Sequence, residues 1–261
     1  CDKKIICIDF LPAVVDHNYQ LDCEVIGDVA HTLWMMNERL KESPLRFDLP
    51  QQHATRQQML RLLEEYKEDD TQGKIRPQKA LWDVRQAMGP HDILLSDVGS
   101  HKMWIAQYYH CDEPNTCLIP NGFCSMGGAL PGAIAAKLVH PNRKVMAVCG
   151  DGGFLMNVQE LETAKRLGMN IVVMVWQDNA FNLIEWKQRK EFGHHTDCSF
   201  GNPDFVKLAE AFGCVGMNVE NSRDLAPALE QAFSFDVPVV ISLPIDYREN
   251  DRLNEQLRIV V

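Results

Sequence analysis

Residues 150–153 read Gly-Asp-Gly-Gly and close the apolar run Lys144–Cys149. Beyond Gly152, after a gap of 24 residues, a second apolar run, Asn170–Trp176, ends in Gln177-Asp178-Asn179. Two strand ends that each deliver a carboxylate suit a hard divalent cation. Mg²⁺ takes about six oxygens at roughly 2.1 Å and is commonly held by one or two carboxylates plus substrate phosphates. Asp151 and Asp178 are the candidate ligands. Gly152 and Gly153 let the backbone approach a phosphate closely, and a helix starting near Phe154 would point its free N–H groups there. The competing reading is a tight turn with a capping Asp151. For Gly-Asp-Gly alone that reading is preferred, and the second polar strand end reverses the balance.

These loops need strands whose carboxyl ends lie side by side. From Pro77 onward the chain alternates helix and strand. The pattern predicts helices over Pro77–Met88, Met126–Val139, Phe154–Leu167, Pro203–Phe212 and Asp224–Phe235. Strands are predicted over Asp92–Val98, Lys144–Cys149, Ile171–Trp176, Cys214–Val219 and Val237–Leu243. Continuous Val/Ile/Met strands separated by amphipathic helices imply an α/β fold, a doubly wound parallel sheet with helices on both faces. Ligands in such sheets gather outside the carboxyl ends of the strands. The loops there include Asp97-Val98-Gly99-Ser100-His101 as well as the two above.

The N-terminal region is different. Lys3–Asp9 reads as a buried strand, and Val25–Leu40 as a helix with Val29, Leu33, Met36 and Leu40 at helical spacing. One strand and one helix close no core, so residues 1–42 are expected to be the tail of a second α/β domain. Residues 43–76 read as a charged, Gln-rich linker with a short helix around Gln57–Tyr66. Residues 77–261 then form the main domain.

Bulk properties narrow the function. A net charge of −10 over 261 residues argues against nucleic acid as a partner, because phosphate contacts need clustered Lys and Arg. No apolar stretch approaches a membrane span, so no membrane partner is expected. With no leader-like N-terminus, the reading is cytoplasmic. The nine cysteines form no framework, and Cys111 and Cys117 have no matching second pair for a zinc site. They read as reduced thiols.

Gly-Asp-Gly, a gap of 24 to 27 residues and a paired-amide position together resemble the diphosphate motif of thiamine-diphosphate enzymes. Those families usually carry Asn-Asn where this chain has Gln177-Asp178, and an aspartate there still offers an anionic oxygen. The segment Asn121–Ile134 resembles the acetolactate synthase stretch beneath the bend of the cofactor. Gly99–Trp104 resembles the family's Gly-Gln-His-Gln-Met-Trp loop, with Ser100 in place of Gln. Trp176–Ile184 and Pro244–Asn250 resemble the catabolic, FAD-independent branch of acetolactate synthases.

The resemblance implies that Asp151 and Asp178 ligate Mg²⁺ by side chain and Ala180 by its carbonyl. It also implies that thiamine diphosphate is bound by Gly99, Ser100, His101, Cys124, Met126, Gly150, Asp151, Gly152, Gly153, Asp178, Ala180 and Phe181. Met126 would be the wedge that holds the reactive V shape. The implied reaction is condensation of two pyruvates to 2-acetolactate and CO₂, in a homodimer or homotetramer with shared active sites. The family's activating glutamate belongs to a pyrimidine-binding domain with no counterpart in this sequence, so the chain alone is expected to be inactive.

Other readings stay open. One is another thiamine-diphosphate enzyme, such as a pyruvate oxidase or aldehyde carboligase, and another is a non-catalytic binding or oligomerisation module. A nicotinamide-binding domain is disfavoured, because no Gly-x-Gly-x-x-Gly turn follows a strand with an acid about twenty residues on.

Overall fold

The computed structural model describes residues 4–14, 20–44 and 49–253. It divides into two compact units, Cys1–Arg56 and Gln57–Val261.

The first unit holds strands β1 (Ile6–Asp9) and β2 (Cys23–Ile26), paired in parallel, and helix α1 (Val29–Lys41). This corrects two expectations. The region contains two strands, not one, and Val25 lies in β2, with the helix starting four residues later. Asp28 sets that start by accepting a hydrogen bond from His31 N at 2.6 Å, an N-cap that the apolar periodicity had hidden. Leu33, Trp34, Met36 and Leu40 of α1 are all exposed. Helix α2 (Pro50–Glu64) follows, starting seven residues before the short helix predicted around Gln57–Tyr66.

The second unit is built on six strands, β3 (Ile93–Ser96), β4 (Cys117–Leu118), β5 (Val145–Gly150), β6 (Val172–Gln177), β7 (Val215–Asn218) and β8 (Val239–Pro244). All pair in parallel, in the order β4-β3-β5-β6-β8-β7. The doubly wound α/β expectation is therefore met. Successive residues of a strand face opposite sides, and both sides are covered. On one face Leu94, Met146, Met174 and Ile241 pack against α3 (Pro77–Ala87), α4 (Ser100–Tyr108) and α10 (Ser222–Ala232). On the other, Ile93, Val145, Val173 and Val240 meet α5 (Ala129–Val139), α7 (Glu160–Arg166) and α9 (Phe205–Ala211). Each large side chain buried this way contributes about 1.5–3 kcal/mol. That double burial is why the strands read as unbroken apolar runs.

The predicted helix over Phe154–Leu167 is two helices, α6 (Asp151–Met156) and α7, and the first begins at Asp151 itself. Helix α5 begins at Ala129, so Met126 stands in the turn before it. Helices α4 and α8 (Asn182–Phe192) and the two-residue strand β4 were not predicted.

Candidate functional site

The strand order reverses between β3 and β5: the chain leaves β3 toward β4 on one side, and β5 leads to β6, β8 and β7 on the other. The loops diverge there and open a crevice at the carboxyl ends of the strands. A cavity of about 210 Å³ lies at this point. The loop after β3 contributes Gly99, Ser100 and His101, and the turn before α5 contributes Cys124 and Met126. The β5–α6 junction adds Gly150, Asp151, Gly152 and Gly153, and the loop after β6 adds Asp178, Ala180 and Phe181. Every candidate residue from the sequence thus lines one cavity, together with Asn182, Leu183, Ile184 and Tyr247, which had been given no role.

Asp151 is fully buried. Its Oδ1 accepts from Gly152 N at 2.9 Å, and its Oδ2 from Asp178 N (3.1 Å), Asn179 N (2.7 Å) and Asn202 Nδ2 (2.6 Å). The carboxylate therefore ties the β5 and β6 loops together. Asn202 gave no signal in the sequence beyond preceding a proline. Burial, then the neighbouring Asp151 charge, pushes Asp178 up to about 7, against the opposing pull of Asn182, the Ala180 backbone and Lys74. A carboxylate held up by burial and by a neighbouring carboxylate marks a site that a cation would stabilise. Ala180 bridges Ser199 through the groups on either side of it. Phe181 N donates to the Cys198 carbonyl at 2.8 Å and Phe200 N to the Asn179 carbonyl at 3.0 Å. The Ala180 carbonyl takes no part in either bond.

This wall leaves little room for side chains. A Cβ on Gly152 would stand 2.8 Å from the Phe181 ring, and one on Gly153 would stand 2.5 Å from Asp97 Oδ2. A Cβ on Gly150 would meet the His101 ring at 3.3 Å. His101 itself is buried beneath this wall, edge-on to Trp176 with ring centroids 6.3 Å apart. Burial pushes it down to about 4, partly opposed by a hydrogen bond to the Asp97 backbone carbonyl. The ring is therefore neutral near pH 7. Its Nε2 is buried with no hydrogen-bond partner among the described residues, and a buried polar atom left unpaired costs about 1–3 kcal/mol.

Two side-chain braces hold the cavity walls. The first fixes the turn that carries Met126. Asp97 receives Gly127 N on both carboxylate oxygens, and Asn157 Nδ2 donates to the Gly127 carbonyl at 2.8 Å. The second joins Ser100 to the C-terminal segment. Ser100 Oγ donates to Asn182 Oδ1 (2.7 Å), Asn250 Nδ2 donates to Asn182 Oδ1 (2.9 Å), and Trp104 Nε1 donates to Asn250 Oδ1 (2.8 Å). Sequence reasoning assigned neither brace. Asp97 gave the clearest signal, being a third carboxylate at a strand end.

Among the described residues no three His, Cys, Asp or Glu side chains cluster as a metal site. A cation here would depend on two carboxylates, backbone oxygen and ligand phosphate, a donor set suited to Mg²⁺.

Residues 97–243 match the family described as thiamine pyrophosphate enzyme, C-terminal TPP binding domain. The chain belongs to that family. It is 36% identical over 259 residues to an acetolactate synthase of Bacillus subtilis (strain 168), covering 97% of this chain and 44% of that protein. It is 39% identical over 265 residues to a catabolic acetolactate synthase of Raoultella terrigena, covering 98% of this chain and 46% of that protein. An acetolactate synthase large subunit of Haemophilus influenzae is 30% identical over 256 residues, covering 95% and 44%. The TPP-binding chain thus spans less than half the length of these curated relatives. None of its helices, among the described residues, is long and apolar enough to cross a membrane.

Proposed function

We propose that this chain is the diphosphate-binding part of an acetolactate synthase that condenses two pyruvates to 2-acetolactate and CO₂. The relatives support the reaction. One observation carries the assignment of the site: Asp151, Asp178, the glycine wall and His101, whose Nε2 is unpartnered among the described residues, all line a single cavity at the strand-order reversal.

The residues present fit the cofactor. Asp151, Asp178 and the Ala180 carbonyl would hold Mg²⁺, and Gly99, Ser100, His101, Gly152 and Gly153 would receive the diphosphate. Cys124 and Met126 would meet the aminopyrimidine through their backbone, with the Met126 side chain beneath the bend and Phe181 closing the side. Bound thiamine diphosphate supplies a thiazolium carbon able to add to the carbonyl of a 2-oxo acid and to accept the electron pair released with CO₂. The chain's own contribution is orientation. Asp97 and Asn157 fix the Met126 turn, and Asp151 keeps the β5 and β6 loops in register. Leu183 and Ile184 add apolar side chains to the cavity lining.

No glutamate stands among the described residues lining this cavity. The chain alone is therefore expected to hold the cofactor without turning over pyruvate.

Calorimetry with Mg²⁺ and thiamine diphosphate tests this reading. Saturable binding that needs Mg²⁺, is lost in Asp178→Asn and Asp151→Asn, and yields no acetolactate from pyruvate supports it. Absence of binding by the folded wild-type chain overturns the cofactor site and favours a non-catalytic module. Acetolactate formation by the chain alone overturns the expectation of inactivity.

A further inference from the structure

Between α8 and α9 the chain returns to the cavity and pairs with the loop after β6. Ala180 and Ser199 form an antiparallel bridge, flanked by the Phe181 N to Cys198 carbonyl bond (2.8 Å) and the Phe200 N to Asn179 carbonyl bond (3.0 Å). The Phe181 and Phe200 rings pack with centroids 4.8 Å apart. Just downstream, Asp204 Oδ1 accepts from Val206 N and Lys207 N at 3.1 Å each and fixes the start of α9. Asn202 is held between these two anchors.

The amide nitrogen of Asn202 reaches two oxygens at once. Nδ2 donates to Asp151 Oδ2 at 2.6 Å and to Asn179 Oδ1 at 2.8 Å. The amide can point only this way, because a flipped side chain would set its carbonyl oxygen, which has no hydrogen to give, against both acceptors. In this orientation Asn202 Oδ1 is buried and has no hydrogen-bond partner among the described residues. A buried acceptor without a donor is destabilising, so the two donated bonds outweigh that loss.

The consequence falls on Asp151. Its Oδ2 takes three donors, Asp178 N, Asn179 N and Asn202 Nδ2, whereas Oδ1 takes Gly152 N. A carboxylate oxygen offers about two lone-pair sites, so Oδ2 is filled and Oδ1 keeps one free. Asp151 can therefore give a cation one oxygen, not two.

Resting on the Mg²⁺–thiamine diphosphate site proposed above, we propose that Asn202 sets the choice of cation: by occupying Oδ2 it restricts Asp151 to one-oxygen ligation and so favours Mg²⁺ over Ca²⁺. Ca²⁺ takes about six to eight oxygens and accepts both oxygens of one carboxylate, whereas Mg²⁺ needs a near-octahedral shell at about 2.1 Å. A carboxylate limited to one oxygen suits the smaller ion and denies the larger one a ligand. Asn202 acts through Asp151 and is a positioning residue.

The test is titration calorimetry of the whole chain with saturating thiamine diphosphate, MgCl₂ and CaCl₂ being added in separate runs. The wild-type chain is expected to bind Mg²⁺ more tightly than Ca²⁺. Asn202→Ala leaves Oδ2 with two backbone donors, one of them long at 3.1 Å. It is expected to lower Mg²⁺ affinity about 10–100-fold. Ca²⁺, now able to take the second oxygen, is expected to lose less, which shifts the ratio of the two affinities toward Ca²⁺. A side chain that only supported the loop would weaken both ions equally and leave that ratio unchanged. Asn202→Asp, of the same size but without a donor when ionised, is expected to move the ratio the same way and replaces the alanine variant if that one does not fold. An unchanged ratio in the folded variant, or a wild-type chain that binds Ca²⁺ as tightly as Mg²⁺, overturns the role of Asn202 and leaves the cofactor site standing. A wild-type chain that binds neither ion with thiamine diphosphate overturns the site and this role together.

Discussion

Gly127 N lies 2.9 Å from each carboxylate oxygen of Asp97, so one buried side chain holds the turn that presents Met126 to the cavity. Asp97 is fully buried, and burial raises its pKa against the pull of the Val98, Gly127 and Gly128 amides. Asp97→Ala strips the acceptor from buried amides, so a loss of about 1–3 kcal/mol is expected in urea denaturation. Gly153→Ala should reach the same end by another route, because its Cβ would stand 2.5 Å from Asp97 Oδ2 and drive the carboxylate off Gly127. Both variants are expected to weaken thiamine diphosphate binding at least about tenfold, equivalent to about 1.4 kcal/mol. Gly122→Ala is the control, since a Cβ there meets nothing within 4 Å. Wild-type affinity in a folded Gly153→Ala protein would show that the brace does not position Met126.

The parts of this arrangement that could be read from sequence are those set by burial. Strands β5, β6 and β8 stand in the middle of the sheet, and their unbroken apolar runs announce that. The short outer strand β4 buries too little to leave a pattern. Helix α4 escaped because it opens on polar residues that serve the cavity, Ser100 and His101, and α8 because it buries no residue and so leaves no apolar stripe. The single helix expected over Phe154–Leu167 is interrupted where Asn157 turns its side chain to Gly127. That demand comes from a residue 30 positions away, beyond any local periodicity. The same holds for the site. Glycines and carboxylates at strand ends show in the sequence, whereas the braces behind them come from distant segments.

Asn250 illustrates such a brace, joining Trp104, Asn182 and Ser100 from near the end of the described chain. Asn250→Ala would leave the buried Trp104 Nε1 without its acceptor, at an expected cost of about 1–3 kcal/mol. Because Asn182 and Asn250 share one network, their alanine substitutions should not add. A double-mutant cycle is expected to give a coupling of about 0.5–3 kcal/mol. Strict additivity in chemical denaturation would mean that the two side chains act independently.

His101 gives the apo domain an acid-sensitive component of stability. Its folded value of about 4 lies below the ordinary 6.5 because burial disfavours the charged ring. Between these values the unfolded chain binds more protons than the folded one, so this contribution is complete above pH about 6.5 and is lost as pH falls toward 4. Urea midpoints measured from pH 7 to pH 4 should decline more steeply in wild type than in His101→Asn. Parallel declines would assign the acid sensitivity to other groups.

The same ring makes a sharper prediction about ligand binding. The ring bonds the Asp97 backbone carbonyl while Nε2 has no partner among the described residues, which assigns the proton of the neutral ring to Nδ1 and makes Nε2 an acceptor. A diphosphate oxygen is also an acceptor, so the two can meet favourably only if Nε2 gains a proton. The negative charge of the ligand favours that gain by stabilising the imidazolium. Binding of Mg²⁺–thiamine diphosphate should therefore take up a proton at His101, and affinity should fall as pH rises through the range between about 4 and the higher value of the bound state. Calorimetry in buffers of different ionisation enthalpy measures the uptake directly. Wild type is expected to take up more protons than His101→Asn at the same pH. Equal uptake by the two proteins would show that the diphosphate does not reach His101, leaving it to hold the Gly99 and Gly150 walls by packing alone.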